Sequence, residues 1–390
     1  MIGTVRTVGK GGQGIISEGG KTVFVPDVLP GEVVEYTPGQ EQHAVLSATL
    51  NRVLEPSPWR QFPPCPHSST CGGCNFQHIV YEEQLCIKER IFCDNLRRIA
   101  KIDWTRPLAI EASPAWRYRT RTEFKIVGGK TGFFRRRSHE LVEIGSCLLV
   151  PPTVEDFLKQ ASTRRRLSAV SLGRLLALTN GQSVSAHLAG PENESALDTP
   201  AGIVFSFPGP QGRQYEYRSG PKNFIQANLF LLPVMLRLLG EALDGRSVER
   251  AVDIFSGAGF FLLPLAARCG RVLAVENHPE NLAALRLNLE HNRITNATIA
   301  DTDAYIAEIP AADLFVVDPP RGGLGRNLVA RMAGRNPRAV IYYSCDSATF
   351  ARDILFFSKF GYSPQVIRLI DNFPQTDHFE IFAVLEKDNG

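Results

Sequence analysis

The strongest constraint on this chain is a change of rhythm near residue 222, after which short apolar runs alternate with segments of helical period. Leu229 to Leu243 carries apolar residues at helix spacing, and Ala251-Val252-Asp253-Ile254 then reads as a buried strand. Phe255-Ser256-Gly257-Ala258-Gly259-Phe260 follows as a glycine turn opening a helix. A strand at Val272 to Val275 ends on Glu276, and a helix covers His278 to His291. Further strands lie at Ala297 to Ala300, Leu314 to Val317 and Ala339 to Tyr343. Alternation of this kind predicts an α/β fold with a doubly wound parallel sheet, because each parallel crossover needs a helix to bring the chain back. Ligands of such sheets bind outside the carboxyl ends of the strands.

The glycine turn narrows the ligand. Asp253 is followed after three residues by Gly257-Ala258-Gly259, without the third glycine spaced for a pyrophosphate. Glu276, ending the second strand, suits the two hydroxyls of a ribose, and Asp303, after the third, suits an adenine edge. Bare glycines facing a cationic, phosphate-free ligand favour S-adenosylmethionine over a nicotinamide dinucleotide.

Three further positions supply chemistry. The run Ala339 to Tyr343 leads through Ser344 to Cys345, just before a helical pattern beginning near Ser347. A helix N-terminus favours thiolate, so Cys345 is the candidate nucleophile. Asp318-Pro319-Pro320-Arg321 ends another strand, and His378-Phe379-Glu380 lies downstream. A thiolate can add to carbon 6 of a pyrimidine and make carbon 5 nucleophilic toward a methyl donor. A base must then take the proton from carbon 5. Glu380 is the candidate base, and Asp318 the candidate to orient the uracil edge or the cofactor. Cys269 reads as a core residue inside a helix.

At 390 residues, two or three domains are expected. Residues 1 to about 57 hold short alternating segments separated by glycine turns, which suggests a small barrel. A Pro-rich linker, Glu55 to Pro66, precedes Cys65, Cys71, Gly72, Gly73 and Cys74, and a fourth cysteine, Cys147, lies farther on. Three cysteines this close indicate a metal centre, and spacing alone leaves zinc and an iron–sulfur cluster both open. Trp104 to about Tyr217 is mostly strand-like. Alternation across Trp116 to Arg121 would put Arg117, Arg119 and Arg121 on one strand face, a row suited to a phosphate backbone. The net charge of +3 neither requires nor excludes a nucleic acid. No apolar run approaches the roughly 20 residues that span a membrane. With no export signal and eight cysteines read as ligands, nucleophile and core, a cytoplasmic protein with no membrane partner is expected.

Gly20-Lys21-Thr22-Val23-Phe24-Val25-Pro26, followed by Leu29-Pro30-Gly31-Glu32-Val33, resembles the TRAM domain, an OB-like barrel that binds RNA. Along nearly its whole length the chain resembles the uracil-5 RNA methyltransferase family. That resemblance rests on Cys65, Cys71, Cys74 and Cys147; Phe224-Ile225-Gln226-Ala227-Asn228; Asp253 to Gly259; Asp318 to Arg321; Ser344-Cys345; and His378 to Glu380. It implies residues 1–57 as a TRAM-like barrel, 58–220 as a β-rich domain holding a 4Fe–4S cluster on the four cysteines, and 221–390 as a Rossmann-like class I methyltransferase domain. It also implies S-adenosylmethionine contacts from Gln226, Glu276 and Asp318, with Asp253, Gly257, Gly259 and Asp303 completing the expected pocket. Relatives with barrel and cluster mostly modify large-subunit ribosomal RNA, and those lacking both the transfer-RNA T-loop. Ribosomal RNA is therefore the expected partner, transfer RNA the alternative, and a monomer the expected state. Two departures stand out: Asp346-Ser347 where the family has Asn-Pro after the nucleophile, and Ser256 where many relatives have Cys. Asp346 raises the thiol's pKa unless it turns away or is paired. It also motivates a reading from another class, an RNA-binding protein that has lost activity.

Overall fold

The computed structural model describes residues 1–42, 45–191, 194–209 and 213–388. Its largest element is an eight-stranded sheet. From one edge the order is Ala297–Asp301, Cys269–Glu276, Val248–Ile254, Leu314–Val317, Ala339–Ser344, Glu380–Lys387, Tyr362–Ile370 and Ala109–Glu111. The first five strands run parallel. Glu380–Lys387 is inserted antiparallel between its two neighbours. The central strands Leu314–Val317 and Ala339–Ser344 are buried at every residue. This explains why they read as continuous apolar runs rather than as alternation.

Pleating sends successive residues of each strand to opposite faces. Phe315, Val317, Val340 and Tyr342 join a core with helices Tyr81–Asn95, Gly325–Ala333 and Ser347–Ser358. Leu314, Val316, Ile341 and Tyr343 join a second core with helix Leu232–Leu243. That helix buries Leu232, Met235, Leu236, Leu239 and Leu243, the three-and-four spacing of one helical face. Each such buried side chain contributes about 1.5–3 kcal/mol.

The expected doubly wound sheet is therefore present, and its core reaches outside the stretch that announced it. Helix Tyr81–Asn95 and strand Ala109–Glu111 pack onto it from upstream. Cys269 is buried at the start of a strand rather than inside a helix, because the preceding helix, Leu262–Ala266, is only five residues long.

The remaining strands form two smaller sheets and a hairpin. An N-terminal six-stranded sheet surrounds Val5, Ile16, Val23, Val25, Val28, Val34 and Tyr36. A second six-stranded sheet is centred on Arg121–Val127 and Leu172–Thr179, with helices Pro152–Lys159 and Ala161–Ser168 on its core. The expected arginine row does not form. The strand begins only at Arg121, and Arg117 has a positive φ of 60°, which breaks the alternation. Arg117 instead binds the carbonyls of Cys147 and Val150 and the Glu155 carboxylate. Arg121 binds the carbonyl of Pro221. Among the described residues no helix is long and apolar enough to cross a membrane.

Candidate active site and a cysteine chamber

The glycine turn after Val248–Ile254 is tied to the adjacent strand, since the amides of Phe255 and Ser256 both donate to the Val275 carbonyl, at 3.0 and 3.1 Å. Gly257 and Gly259 have φ of 59° and 93°, conformations that bear a side chain only with strain. A Cβ on Gly259 would also come within 2.8 Å of Leu285, whereas one on Gly257 would meet only the Phe224 ring, at 4.0 Å. Beneath the turn, buried Asp253 accepts a 2.5 Å hydrogen bond from the Ser256 hydroxyl. Burial pushes its carboxyl up to about 7, with Glu276 adding to the rise. Glu276 is fixed at the mouth by the amides of Gly257 (2.8 Å), Asn277 (2.9 Å) and His278 (2.8 Å).

An open cleft of about 1160 Å³, its mouth included, runs across these strand ends. It brings together Gln226, Gly257, Glu276, Asp318, Cys345 and Glu380 from the residues named by sequence. Asp253 and Gly259 support the turn from behind, and Asp303 does not line the cleft. The Asp303 carboxylate instead accepts from the amide of Tyr305, whose ring packs 5.4 Å from that of Phe255. The cleft also uses Phe224, Phe255, Asn281 and Phe373, which sequence reasoning did not single out as site residues. Phe224 stands 57% exposed at the opening, an aromatic face that water covers at a cost, and only this exposure distinguishes it from core aromatics. Its segment is strapped down where the Phe224 amide meets Asn281 (3.1 Å) and Asn223 meets the Glu280 carbonyl (2.7 Å). Gln226 then donates to Asp318 at 2.6 Å.

The antiparallel strand places Glu380 beside Cys345. Ser344 pairs with Ile381, so Cys345, one residue past the end of its strand, meets Glu380 at the start of the other. Upstream of Glu380, the loop 371–378 is held by buried Lys88 on Asp371 and on the Phe373 carbonyl. Breaking such a buried ion pair typically costs about 3–5 kcal/mol.

The expected thiolate is corrected here. Burial pushes the Cys345 thiol up to about 12, and the nearby carboxylates Glu380, Asp318 and Asp346 push the same way against Arg321. Burial, with Asp318 adding to it, raises Glu380 to about 8. Burial likewise raises Asp318 to about 7, with Asp253 adding and the Gln226 hydrogen bond opposing. The cleft is thus crowded with acids that resist ionising together, and Arg321 is the one cationic side chain among the described residues lining it. A positively charged ligand is what such a site lacks.

Asp346 turns away from the thiol. Its side chain caps the helix Ser347–Ser358, accepting from the amides of Ala348 (3.1 Å) and Thr349 (3.0 Å). Its other oxygen pairs with Lys10 of the N-terminal sheet region.

A second thiol site lies apart from the cleft. Cys65, Cys71, Cys74 and Cys147 line one cavity with Arg119, Gln77 and Phe133. A side chain at Gly72 would meet the Phe134 carbonyl at 2.8 Å, so glycine lets the cysteine loop dock on the neighbouring strand. The Cys147 amide and Arg117 both bind Glu155. Burial raises Cys71 and Cys147 and lifts Cys74 to about 12. The Nε of Arg119 is buried in this chamber with no hydrogen-bond partner. Among the described residues no three His, Cys, Asp or Glu side chains gather closely enough to hold a single metal ion.

Known proteins agree with this arrangement. A sequence model of the family described as tRNA (uracil-5-)-methyltransferase matches residues 209–309. A 23S rRNA uracil-C5-methyltransferase, RlmD, of Pectobacterium atrosepticum is 31% identical, over 99% of this chain and 94% of its own length. The RlmD of Shewanella amazonensis is 32% identical, over 96% and 93%. The chain belongs to the RNA uracil-C5-methyltransferase family. Its fold is that of the tRNA (uracil-54, C5)-methyltransferase of Pyrococcus abyssi, solved with S-adenosyl-L-homocysteine, at a TM-score of 0.71 and 22% identity over 99% of this chain and 100% of that one. The methyltransferase thus carries its strand-end cleft on a fold shared with the archaeal enzyme.

Proposed function

We propose that this S-adenosylmethionine-dependent enzyme forms 5-methyluridine in 23S ribosomal RNA, through a bond between Cys345 Sγ and carbon 6 of an extruded uracil. The observation that carries the reading is the single cleft lined by Cys345, Glu380, Asp318, Gln226, Glu276 and Gly257. S-adenosylmethionine supplies an electrophilic methyl group on a cationic sulfur, the charge that the acid-rich cleft lacks. Glu276 and the glycine turn would hold its ribose, and Gln226 and Asp318 the part nearest the chemistry, while Asp303, outside the cleft, drops out of the expected contacts. Cys345 gives up its thiol proton to the surrounding carboxylates as its sulfur bonds to carbon 6. The displaced π electrons move through carbon 5 toward the carbonyl at carbon 4; they would return through carbon 5 to form its bond to the methyl group, the donor's sulfur–methyl bond breaking with its electron pair left on sulfur as the neutral thioether of S-adenosylhomocysteine. Glu380 removes the proton left on carbon 5, the double bond reforms, and the sulfur leaves. A base must leave its stack to reach so recessed a thiol.

Residues 1–57 are assigned to an RNA-holding TRAM-like barrel, 58–220 to the cysteine-bearing unit and 221–390 to methyl transfer. Four thiols on one cavity suit a thiolate-ligated centre, and the family resemblance makes a 4Fe–4S cluster the reading taken here. The unpartnered Arg119 Nε suits the negative charge of a thiolate-ligated cluster. Bound by Cys65, Cys71, Cys74 and Cys147, it would tie two distant loops together, and no step above needs an electron. All eight cysteines are free thiols, which suits a monomer working in the reducing cytoplasm.

Ribosomal RNA is favoured by the near-complete match to RlmD enzymes. The transfer-RNA reading rests on the family description and the archaeal structure. The lost-activity reading loses its motive, since Asp346 caps a helix and is paired. Mapping methyluridine in RNA from a deletion strain tests the assignment. One 23S uridine should lose its methyl group and regain it with the wild-type gene but not with Cys345→Ala. Unchanged 23S RNA would overturn it.

A further inference from the structure

The N-terminal sheet sends one loop against the segments that follow Cys345 and precede Glu380. Residues 9–13 form a tight turn, closed by the Gly9 amide donating to the Gln13 carbonyl at 2.9 Å. At its tip, Lys10 pairs with Asp346, the residue after the nucleophile and 336 positions away in sequence. Next to it, the Gly11 amide donates to the Asp377 carboxylate at 2.7 Å, three residues before the base. Asn75 completes the brace: it donates to the Gly11 carbonyl at 3.2 Å and to Asp377 at 2.8 Å, and accepts from the Asp377 amide at 3.0 Å. One loop thus grips both catalytic loops.

We propose that Lys10 is a positioning residue for methyl transfer: it neutralises Asp346 and clamps the nucleophile loop against the base loop, so that the N-terminal sheet serves the chemical step and not only RNA capture. This rests on the function proposed above.

The physical argument is one of charge. Asp346 is about one-eighth exposed while Lys10 is largely exposed, so the pair contributes little to stability. Its electrostatic consequence is local. The groups facing Cys345 are Glu380, Asp318 and Asp346, all anionic when ionised, against Arg321 alone. Against the burial that raises it, Lys10 and the helix amides hold the Asp346 carboxyl below its usual range, and the ion pair sets a positive charge against the one carboxylate that directly follows the nucleophile. Without Lys10 the site gains an unscreened negative charge beside a thiol that must ionise. Asparagine caps a helix as well as aspartate does and carries no charge, so the Asp346→Asn variant would have no need of the lysine.

The test is a double-mutant cycle on the full-length protein, using single-turnover methylation of a 23S rRNA fragment across pH 6–9. Lys10→Ala should lower the rate about tenfold and evenly across pH 6–9, by moving the thiol ionisation, which lies above that range with or without Lys10, up by about one further unit. The alkylation rate of Cys345 by iodoacetamide should shift with pH in the same direction. Lys10→Arg should restore the profile. In an Asp346→Asn background, Lys10→Ala should cost nothing further. An equal loss with and without Asp346→Asn, or a raised KM for RNA at unchanged rate, would overturn the proposal and make Lys10 an RNA contact. Activity in Cys345→Ala would instead strike at the function itself, which separates the two failures.

Discussion

Two thiol sites in this molecule line cavities, and they differ in what surrounds them. Cys345 sits among the carboxylates Glu380, Asp318 and Asp346 with one opposing cation. The chamber of Cys65, Cys71, Cys74 and Cys147 has no carboxylate among the described residues lining it, and it holds an arginine whose Nε lacks a partner. Burial raises both Cys345 and Cys74 to about 12, so burial alone does not tell the two sites apart. The neighbours do. A ring of acids suits a transient sulfur–carbon bond with proton acceptors at hand and a cation as guest. An unpaired guanidinium suits a permanent anionic centre.

The widest separation between the sites should come from deleting one sulfur in each. Cys345→Ala should lower methylation by at least roughly 1000-fold and abolish covalent capture by RNA carrying 5-fluorouridine, while leaving iron and sulfide content intact. Cys74→Ser should do the reverse to the metal, emptying the chamber of iron and sulfide while Cys345 still forms the adduct. Denaturing gels of the RNA complex and elemental analysis read the two outcomes. Adduct formation by Cys345→Ala, or full iron in Cys74→Ser, would break the contrast.

Glu380→Gln should slow turnover roughly 100-fold and accumulate the adduct, since the carbon 5 proton has lost its acceptor. The same change has a thermodynamic signature. The Glu380 carboxyl titrates near 8 when folded, against 4.5 in an ordinary setting. The folded state therefore binds the extra proton between those values, and its stability declines as pH rises through that window. Removing the carboxyl should accordingly raise Tm by roughly 2 °C or more at pH 9 and little at pH 5, by calorimetry. A Tm gain confined to acid pH would contradict the assignment of Glu380 as a strained base.

The smallest effect expected is at Arg119. Arg119→Gln should leave methylation near wild type when freshly prepared, yet shorten the lifetime of iron–sulfur absorbance in air about tenfold, as loss of a charge partner beside metal ligands does. An unaltered lifetime would show that the guanidinium answers some other need.

The sheet was legible because strand and helix periods are local properties, and each of its parallel strands from 248 to 344 sits within a few residues of its apolar run. The cleft was partly legible for the same reason: Glu276, Asp318 and Cys345 end or follow strands. What escaped reading depends on distance or on single dihedrals. Ala109–Glu111, three residues long, joins the sheet edge without any pattern of its own. Arg117 leaves the extended region, and with it the expected arginine face. The raised Cys345 thiol comes first from burial and then from carboxylates in segments 27 and 35 residues away, which a helix N-terminus argument does not see. Lys10 reaches Asp346 across 336 positions, and nothing near either residue announces the other.

The inserted strand carries a last consequence. Because Glu380–Lys387 runs against Ala339–Ser344, its first residue falls at the end of the sheet where Cys345 emerges. A strand laid the other way would deliver its opening residue to the far rim, some 20 Å off at the usual rise per residue. Sliding by one ladder rung would turn Glu380 to the opposite face. The spacing of proton acceptor and attacking atom is therefore written into backbone pairing, and the braces on residues 371–377 add to a placement that the ladder already fixes.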